Sequence, residues 1–178
     1  MLYPVVQRFS FQNTRLSVMT SLRDIIEFIN GKLPGGGDQH NRHFDIEMVI
    51  TELLTNAIKH TGDTEISVNI SISNEYLNIE KSDYGNPFNP NGFLSQLTNT
   101  GSKVQISKDD LYSIYAVIEN DNQVRFICEE NKTALGFVDI MEHFGLLIIT
   151  RSAGEFIYRY NPVTGLNTFR VIMLLKRD

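Results

Sequence analysis

A long amphipathic helix followed directly by a strand hairpin most constrains how this chain can fold. Over residues 42–60, apolar side chains recur at helical spacing and form one stripe. These side chains are Ile46, Val49, Ile50, Leu53 and Ala57. Residues 65–73 and 75–82 then alternate between apolar and polar, as paired strands with one buried face do. The helix stripe therefore needs a sheet to pack against, and the hairpin supplies its first two strands.

The rest of the chain predicts more elements of the same layered kind. Alternation or short apolar runs predict strands over 3–12, 109–120, 123–131, 146–152, 155–161 and 167–176. Helical spacing predicts helices over 13–31, which can end at Gly31, and over 131–145, which can end at Gly145. The order of elements predicts a single α+β domain over 1–178, a two-layer sandwich with a mixed sheet and helices on one face.

Composition narrows the class of protein. The net charge of −5 argues against nonspecific binding to nucleic acid or to an anionic membrane, since both need a basic surface. The one cysteine, Cys128, cannot form an internal disulfide and fits a reducing compartment. The first residues lack a signal-peptide pattern, and no apolar run approaches the ~18 residues of a membrane span. We therefore expect a cytoplasmic protein without a membrane segment.

The helix over 42–60 also carries an ordered set of polar side chains. Glu52, Asn56 and Lys59 fall within roughly 60° of one another on a helix that turns by about 100° per residue. The apolar stripe centres roughly 110° away, so this group lies on a shoulder beside the core. One interpretation is a solvated helix edge with ordinary charge pairing. The other is the rim of a binding cavity.

A second motif is DYGNPF, residues 83–88, which follows the hairpin. Asp83 is predicted at a strand end, and Gly85 permits a close approach of the backbone to a ligand. An ordinary turn would use the same residue types, because Asp, Gly, Asn and Pro all favour turns.

Asp38, His40 and His43 also lie close in sequence, but without a Cys partner or a helical pair they do not favour a metal site.

Taken together and in this order, ELLTNAIKH at 52–60 and DYGNPF at 83–88 resemble the N-box and first glycine box of the GHKL, or Bergerat-type, ATP-binding fold. The form D-x-G-x-P-F most resembles the bacterial anti-sigma-factor serine/threonine kinases of the partner-switching type. The resemblance covers residues 1–90 and returns over about 133–176.

The resemblance implies a role for each matching residue. Glu52 holds the place of the catalytic base, and Asn56 holds that of the magnesium-binding amide. Lys59 matches a phosphate-contacting lysine found in some branches of the family. Asp83 matches the carboxylate that accepts a hydrogen bond from the adenine amino group, and Gly85 matches the glycine that lets the base approach.

The later motifs match less completely. Gly136 fits one glycine of the second glycine box, whereas Ala134 stands where another is usual. Thr168 matches the late threonine of the family, and Asn167 replaces the glycine before it. The segment 89–132 is long for an ATP lid, and its second half reads as a hairpin that turns at residues 121–122. We interpret this segment as a lid or insertion.

By resemblance, the chain binds ATP and Mg²⁺ and transfers phosphate to a serine or threonine of a regulatory partner, either anti-anti-sigma-like or sigma-factor-like. The resemblance also suggests a homodimer. One alternative is a non-catalytic interaction module on the same fold with weakened or lost ATP binding, because Ala134 and Asn167 replace usual glycines. Another is the detached catalytic domain of a histidine kinase.

Overall fold

The computed structural model describes residues 4–33, 39–60, 65–96, 99–108, 111–120, 123–131 and 144–175. Three α-helices lie within these ranges: α1 (Arg15–Asn30), α2 (Gln39–His60) and α3 (Phe144–Ser152). The strands are β1 (Val5–Gln12), β2 (Glu65–Ile72), β3 (Tyr76–Tyr84), β4 (Lys103–Lys108), β5 (Tyr112–Asn120), β6 (Gln123–Glu130), β7 (Glu155–Asn161) and β8 (Leu166–Leu174). A short 3₁₀ helix spans Pro90–Gln96. None of these helices is long and apolar enough to cross a membrane.

One eight-stranded sheet has the order β1-β2-β3-β8-β7-β6-β5-β4. Every described pair of neighbouring strands is antiparallel. The α+β class is therefore confirmed, but the predicted mixed sheet is wrong. Short connections make the pairs β2–β3, β5–β6 and β7–β8 antiparallel. The pairing of β3 with β8 is also antiparallel, and local sequence does not specify this long-range pairing.

The late part of the chain differs from the prediction. Residues 146–152, predicted as a strand, lie in helix α3, and Gly145 lies inside this helix instead of ending one. Leu146, Leu147 and Ile149 are buried, and a short apolar run of this kind does not separate a strand from a buried helix. Most of the helix predicted over 131–145 lies outside the described residues.

The predicted hairpin in segment 89–132 is confirmed, since β5 and β6 pair up to Asn120 and Gln123 on either side of residues 121–122. With β4, these strands continue the sheet beyond β7. The 3₁₀ helix contributes the buried Phe93 to the core. The interpretation of 89–132 as a lid or insertion stays a prediction.

The buried side chains of the three helices and of the sheet form a single core. Helix α1 begins at the N-cap Thr14, whose side chain accepts a hydrogen bond from the Ser17 amide, and it ends at Gly31 as predicted. Strand β3 turns every second side chain toward the core, up to Asp83 near its end. The opposite face of the sheet carries half-buried polar side chains: Ser67, Asn69, Asn78, Glu80, Thr168 and Arg170. The buried face of β3, which includes Asp83, is therefore the face that the helices cover.

Candidate functional site

A cavity of about 280 Å³ opens between the helices and the core face of the sheet. Helices α2 and α3 contribute Leu53, Asn56, Leu146 and Ile149 to its lining. Strands β3, β7 and β8 contribute Lys81, Asp83, Phe156, Asn167 and Phe169, and the loop after β3 contributes residues 86–89. The lining is mostly apolar with a few convergent polar groups, which is typical of a small-molecule site.

A buried ion pair forms the polar floor of this cavity. Lys81 Nζ contacts Asp83 Oδ2, and the two side chains are 3% and 0% exposed. The Lys81 nitrogen also lies 5.0 Å from the centroid of the Phe169 ring. Burial lowers the pKa of Lys81 below its ordinary 10.5, and the neighbouring Asp83 carboxylate opposes this shift.

Asn167 connects this floor to the loop after β3. Its Nδ2 donates to Asp83 Oδ1 at 3.2 Å and to the Asn86 carbonyl at 3.1 Å. Its Oδ1 accepts from the Tyr158 hydroxyl at 2.8 Å, and that hydroxyl accepts from the Phe88 amide at 2.7 Å. Burial raises the pKa of Tyr158 above its ordinary 10.0, so the phenol stays protonated. The amide of Asn167 is thus held by three partners.

The loop after β3 is also fixed by aromatic packing. The Phe88 ring lies edge-on to Phe169 at 5.4 Å between centroids and to Tyr158 at 5.7 Å. It also contacts Phe93 and Phe126. Edge-to-face geometry suits the quadrupoles of the rings, so Phe88 has a structural role at the cavity wall.

Glu52 and Asn56 lie on α2 next to Gly145 of α3. A Cβ placed on Gly145 of α3 would overlap the Glu52 carboxylate, with Cδ only 3.1 Å away, and would lie 3.5 Å from Asn56 Nδ2. Asn56 lines the cavity, and Glu52 lies one helical turn earlier, half-buried. The absence of a side chain at Gly145 is what leaves room for the Glu52 carboxylate.

The structure brings some of the predicted site residues together and not others. Asn56 and Asp83 line the same cavity, with Glu52 one turn from Asn56. Lys59 is exposed on α2, outside the cavity lining. Thr168 lies on the opposite face of β8, where its hydroxyl is 3.4 Å from that of Ser82.

Two predicted glycines have different outcomes. Gly85 follows β3 next to the cavity, and its amide donates to the Gly165 carbonyl at 3.0 Å. Gly165 lies in the turn before β8 and has a φ of 70°, a conformation that favours glycine. The hydrogen bond from Gly85 thus ties the loop after β3 to this turn. Gly136 and Ala134 lie outside the described residues, so the second glycine box has no structural counterpart in these ranges.

Sequence reasoning assigned neither Lys81 nor Tyr158 to the site and considered Asn167 only as a replaced glycine. A signal for Lys81 was available, because period-two alternation back from Asp83 places it on the same face of the strand. Pairing of Asp83 with Asn167 across β3 and β8 depends on a long-range register. No local pattern specifies that register.

The lining is compatible with part of a nucleotide. Its volume is just below the roughly 300–1,000 Å³ of drug-sized ligand sites, so it suits a heterocyclic base better than a whole nucleotide. Asn56 offers an amide oxygen of the kind Mg²⁺ accepts beside phosphates and waters. Among the described residues, no group of three or more His, Cys, Asp and Glu is arranged to hold a metal by itself. Asp38 and the side chain of His40 are outside those residues.

Comparison with known proteins adds no relative. A scan against protein-family models finds no match, and a search of curated proteins finds none either. The evidence on what this site does therefore comes from two sources. One is the pair of sequence motifs, and the other is the cavity that Asn56 and Asp83 both line.

Proposed function

We propose that this chain is an ATP-binding regulatory protein of the GHKL type, which transfers phosphate from Mg-ATP to a serine or threonine of a regulatory partner protein. The observation that carries the proposal is that Asn56 of α2 and Asp83 of β3 line one cavity, with Glu52 a helical turn from Asn56. Two motifs far apart in the sequence thus contribute to the same site.

In this proposal the cavity binds the adenine ring. Leu53, Leu146 and Phe156 provide apolar contacts to its faces and exclude water. Asp83 accepts a hydrogen bond from the amino group of the base. Its orientation is already fixed by Asn167, so little ordering is needed when the base enters.

The Asn56 amide oxygen would hold Mg²⁺ together with the phosphates. The ion, when bound, neutralises charge that develops on the transferred phosphoryl group. Glu52 accepts the proton of the attacking hydroxyl, a role that requires hydrogen-bond reach to the partner side chain. Because Gly145 has no side chain, the Glu52 carboxylate can lie close to α3 without a steric clash.

A second candidate function is a non-catalytic interaction module on the same fold. The observation that favours it is that both Asp83 oxygens already have partners in the protein, namely Lys81 and Asn167. An adenine amino group must share this carboxylate with both. If these contacts prevent sharing, ATP binding is weak or lost, and the protein acts through its surfaces.

Titration calorimetry with a nonhydrolysable ATP analogue and Mg²⁺ distinguishes the two functions. We expect micromolar binding to the wild type and at least tenfold weaker binding to Asn56→Ala. Asn69→Ala is the matched control, because Asn69 is half-buried on the opposite face of the sheet. An absence of binding to folded wild type would exclude the ATP-dependent function and favour the interaction module.

The proposed base is tested by Glu52→Gln, with Glu47→Gln as the control on the exposed side of the same helix. General-base catalysis contributes about 10²–10⁴-fold, so ATP turnover should fall by about that factor while analogue binding persists. Glu47→Gln should turn over ATP at the wild-type rate. Unchanged turnover in Glu52→Gln would show that Glu52 is not the base.

A further inference from the structure

We infer that Lys81 is a base-specificity residue of this site and that its side-chain nitrogen donates a hydrogen bond to ring nitrogen N1 of adenine. N1 lies next to the amino group from which Asp83 accepts a hydrogen bond. The inference rests on the proposed function, because it assumes that the cavity takes a nucleobase. It assigns a role to a residue outside both sequence motifs.

The first argument is the hydrogen-bond balance of Lys81. An ammonium group carries three donors. Asp83 takes one, and among the described residues no second acceptor contacts the Lys81 nitrogen. Lys81 is only 2% exposed and lines the cavity. Two of the three Lys81 donors therefore remain for an acceptor that a ligand brings into the cavity.

The second argument is the capacity left on Asp83. An ionised carboxylate has about four lone-pair positions. Lys81 uses one on Oδ2, and Asn167 uses one on Oδ1. Asp83 can therefore accept another hydrogen bond from a ligand. The floor of the cavity presents an acceptor next to a donor.

The third argument is that the order of acceptor and donor is fixed. The Phe88 amide donates to the Tyr158 oxygen, so the Tyr158 hydroxyl hydrogen is free to donate to Asn167 Oδ1. Asn167 must then turn its Nδ2 donors toward Asp83 and the Asn86 carbonyl. The chain of bonds from Phe88 keeps Asp83 an acceptor and holds it in place beside Lys81.

This order matches the edge of adenine, where the amino group is a donor and the adjacent N1 is an acceptor. Guanine reverses the order at the same two positions, because its O6 is an acceptor and its N1–H is a donor. A base that enters with its exocyclic group at Asp83 and its ring nitrogen at Lys81 is therefore accepted as adenine and rejected as guanine.

The test replaces single atoms of the ligand. Wild-type protein with Mg²⁺ is titrated with ATP, with 1-deaza-ATP, which lacks N1, and with 7-deaza-ATP, which lacks a nitrogen elsewhere in the ring system. A hydrogen bond to a charged donor predicts that 1-deaza-ATP binds about tenfold or more weakly than ATP. 7-Deaza-ATP should bind within about threefold of ATP, and GTP should bind more weakly than 1-deaza-ATP.

The same titrations on Lys81→Met localise the effect. If the variant folds, the ratio between ATP and 1-deaza-ATP should fall to near one, since the N1 partner is gone. The wild-type ligand series needs no variant and can overturn the inference even if Lys81→Met does not fold. Equal binding of ATP and 1-deaza-ATP to wild type overturns the inference and leaves ATP binding intact. An absence of ATP binding overturns the proposed function and this inference with it.

Discussion

The two halves of β3 are equally buried but chemically opposite. Leu77 and Ile79 are 0% and 1% exposed, and Lys81 and Asp83 are 2% and 1% exposed, all on the same face of one strand. The apolar pair meets Met173 and Val171 across the strand, whereas Lys81 and Asp83 meet Phe169 and Asn167. Burial alone therefore does not separate core from site here.

What separates the halves is the cavity. Lys81 and Asp83 line it, and Leu77 and Ile79 do not. In the packed half, side chains are stabilised by transfer from water and close packing. In the cavity half, Lys81 and Asp83 are buried as an ion pair, and Asn167 donates a hydrogen bond to Asp83. A pair of this kind adds little net stability, so we attribute its presence to binding.

The largest effect is expected when one charge of the pair is removed. Asp83→Ala leaves Lys81 buried without its counterion, and breaking a buried pair in this way costs about 3–5 kcal/mol. Urea denaturation should show this loss as a lower transition midpoint. Adding Lys81→Met to Asp83→Ala should restore most of the stability. If the double variant is as unstable as Asp83→Ala, an unpaired charge is not the cause.

A cavity in the packed half gives the matching apolar effect. Ile79→Ala should lower the free energy of unfolding by about 2–5 kcal/mol, because the lost side chain leaves a void. Where this variant is folded, it should bind the ATP analogue as wild type does, since Ile79 does not line the cavity. Calorimetry on Ile79→Ala tests the division of β3 directly. Weakened binding would show that the two halves are not separate.

Asn167→Ala should have an intermediate effect. Its removal takes the Asn167 donors from Asp83 Oδ1 and the Asn86 carbonyl, and it takes from the Tyr158 hydroxyl the oxygen to which that hydroxyl donates. Loss of a buried hydrogen-bond partner costs about 1–3 kcal/mol. Asn69→Ala, on the polar face, should change the unfolding free energy by less than about 0.5 kcal/mol. Equal effects of the two substitutions would argue against a structural role for the Asn167 network.

The sequence predicts the helices and strands where periodicity is long and uninterrupted. The helix that became α1 and the hairpin of β2 and β3 were foreseen from their apolar patterns. The strand predicted over residues 146–152 was wrong because a short apolar run fits a strand and a buried helix equally well. The antiparallel sheet depends on which strand β8 inserts beside, and this is a long-range choice.

The candidate site was predicted only in part, for a similar reason. Local spacing indicates that Glu52 and Asn56 share a side of a helix, and the motif at Asp83 marks a strand end. The polar floor requires the pairing of β3 with β8, which brings Asn167 to Asp83. Lys81 reads as an ordinary strand lysine until the sheet shows which face the helices cover.

The pH dependence of stability offers a smaller effect that is specific to the cavity half. Because burial lowers the folded pKa of Lys81, the unfolded chain binds this proton more readily than the folded one. Between the lowered pKa and 10.5, the Lys81 contribution to stability should therefore rise with pH, by at most about 1.4 kcal/mol per unit.

The double variant Lys81→Met/Asp83→Ala removes this contribution without leaving a buried charge unpaired, and it serves as the reference protein. The difference in unfolding free energy between wild type and the double variant should grow in favour of wild type as pH increases toward 10.5. Tyr158 acts in the opposite direction, since its raised pKa makes stability fall above about pH 10, but it does so in both proteins. A difference that is flat with pH would contradict the lowered pKa.

The smallest effect on stability, and the most informative one for catalysis, is expected at Gly145. Ala has a helix propensity about 1 kcal/mol better than Gly, and the added methyl group only displaces the flexible end of Glu52. We expect Gly145→Ala to change the unfolding free energy by less than about 1 kcal/mol. ATP turnover should nonetheless fall strongly, because the carboxylate leaves its position beside Asn56. Gly145→Ala and Glu52→Gln should then share one phenotype, with analogue binding retained and turnover lost. Full turnover in Gly145→Ala would mean that the position of Glu52 against α3 is not the one used in phosphoryl transfer.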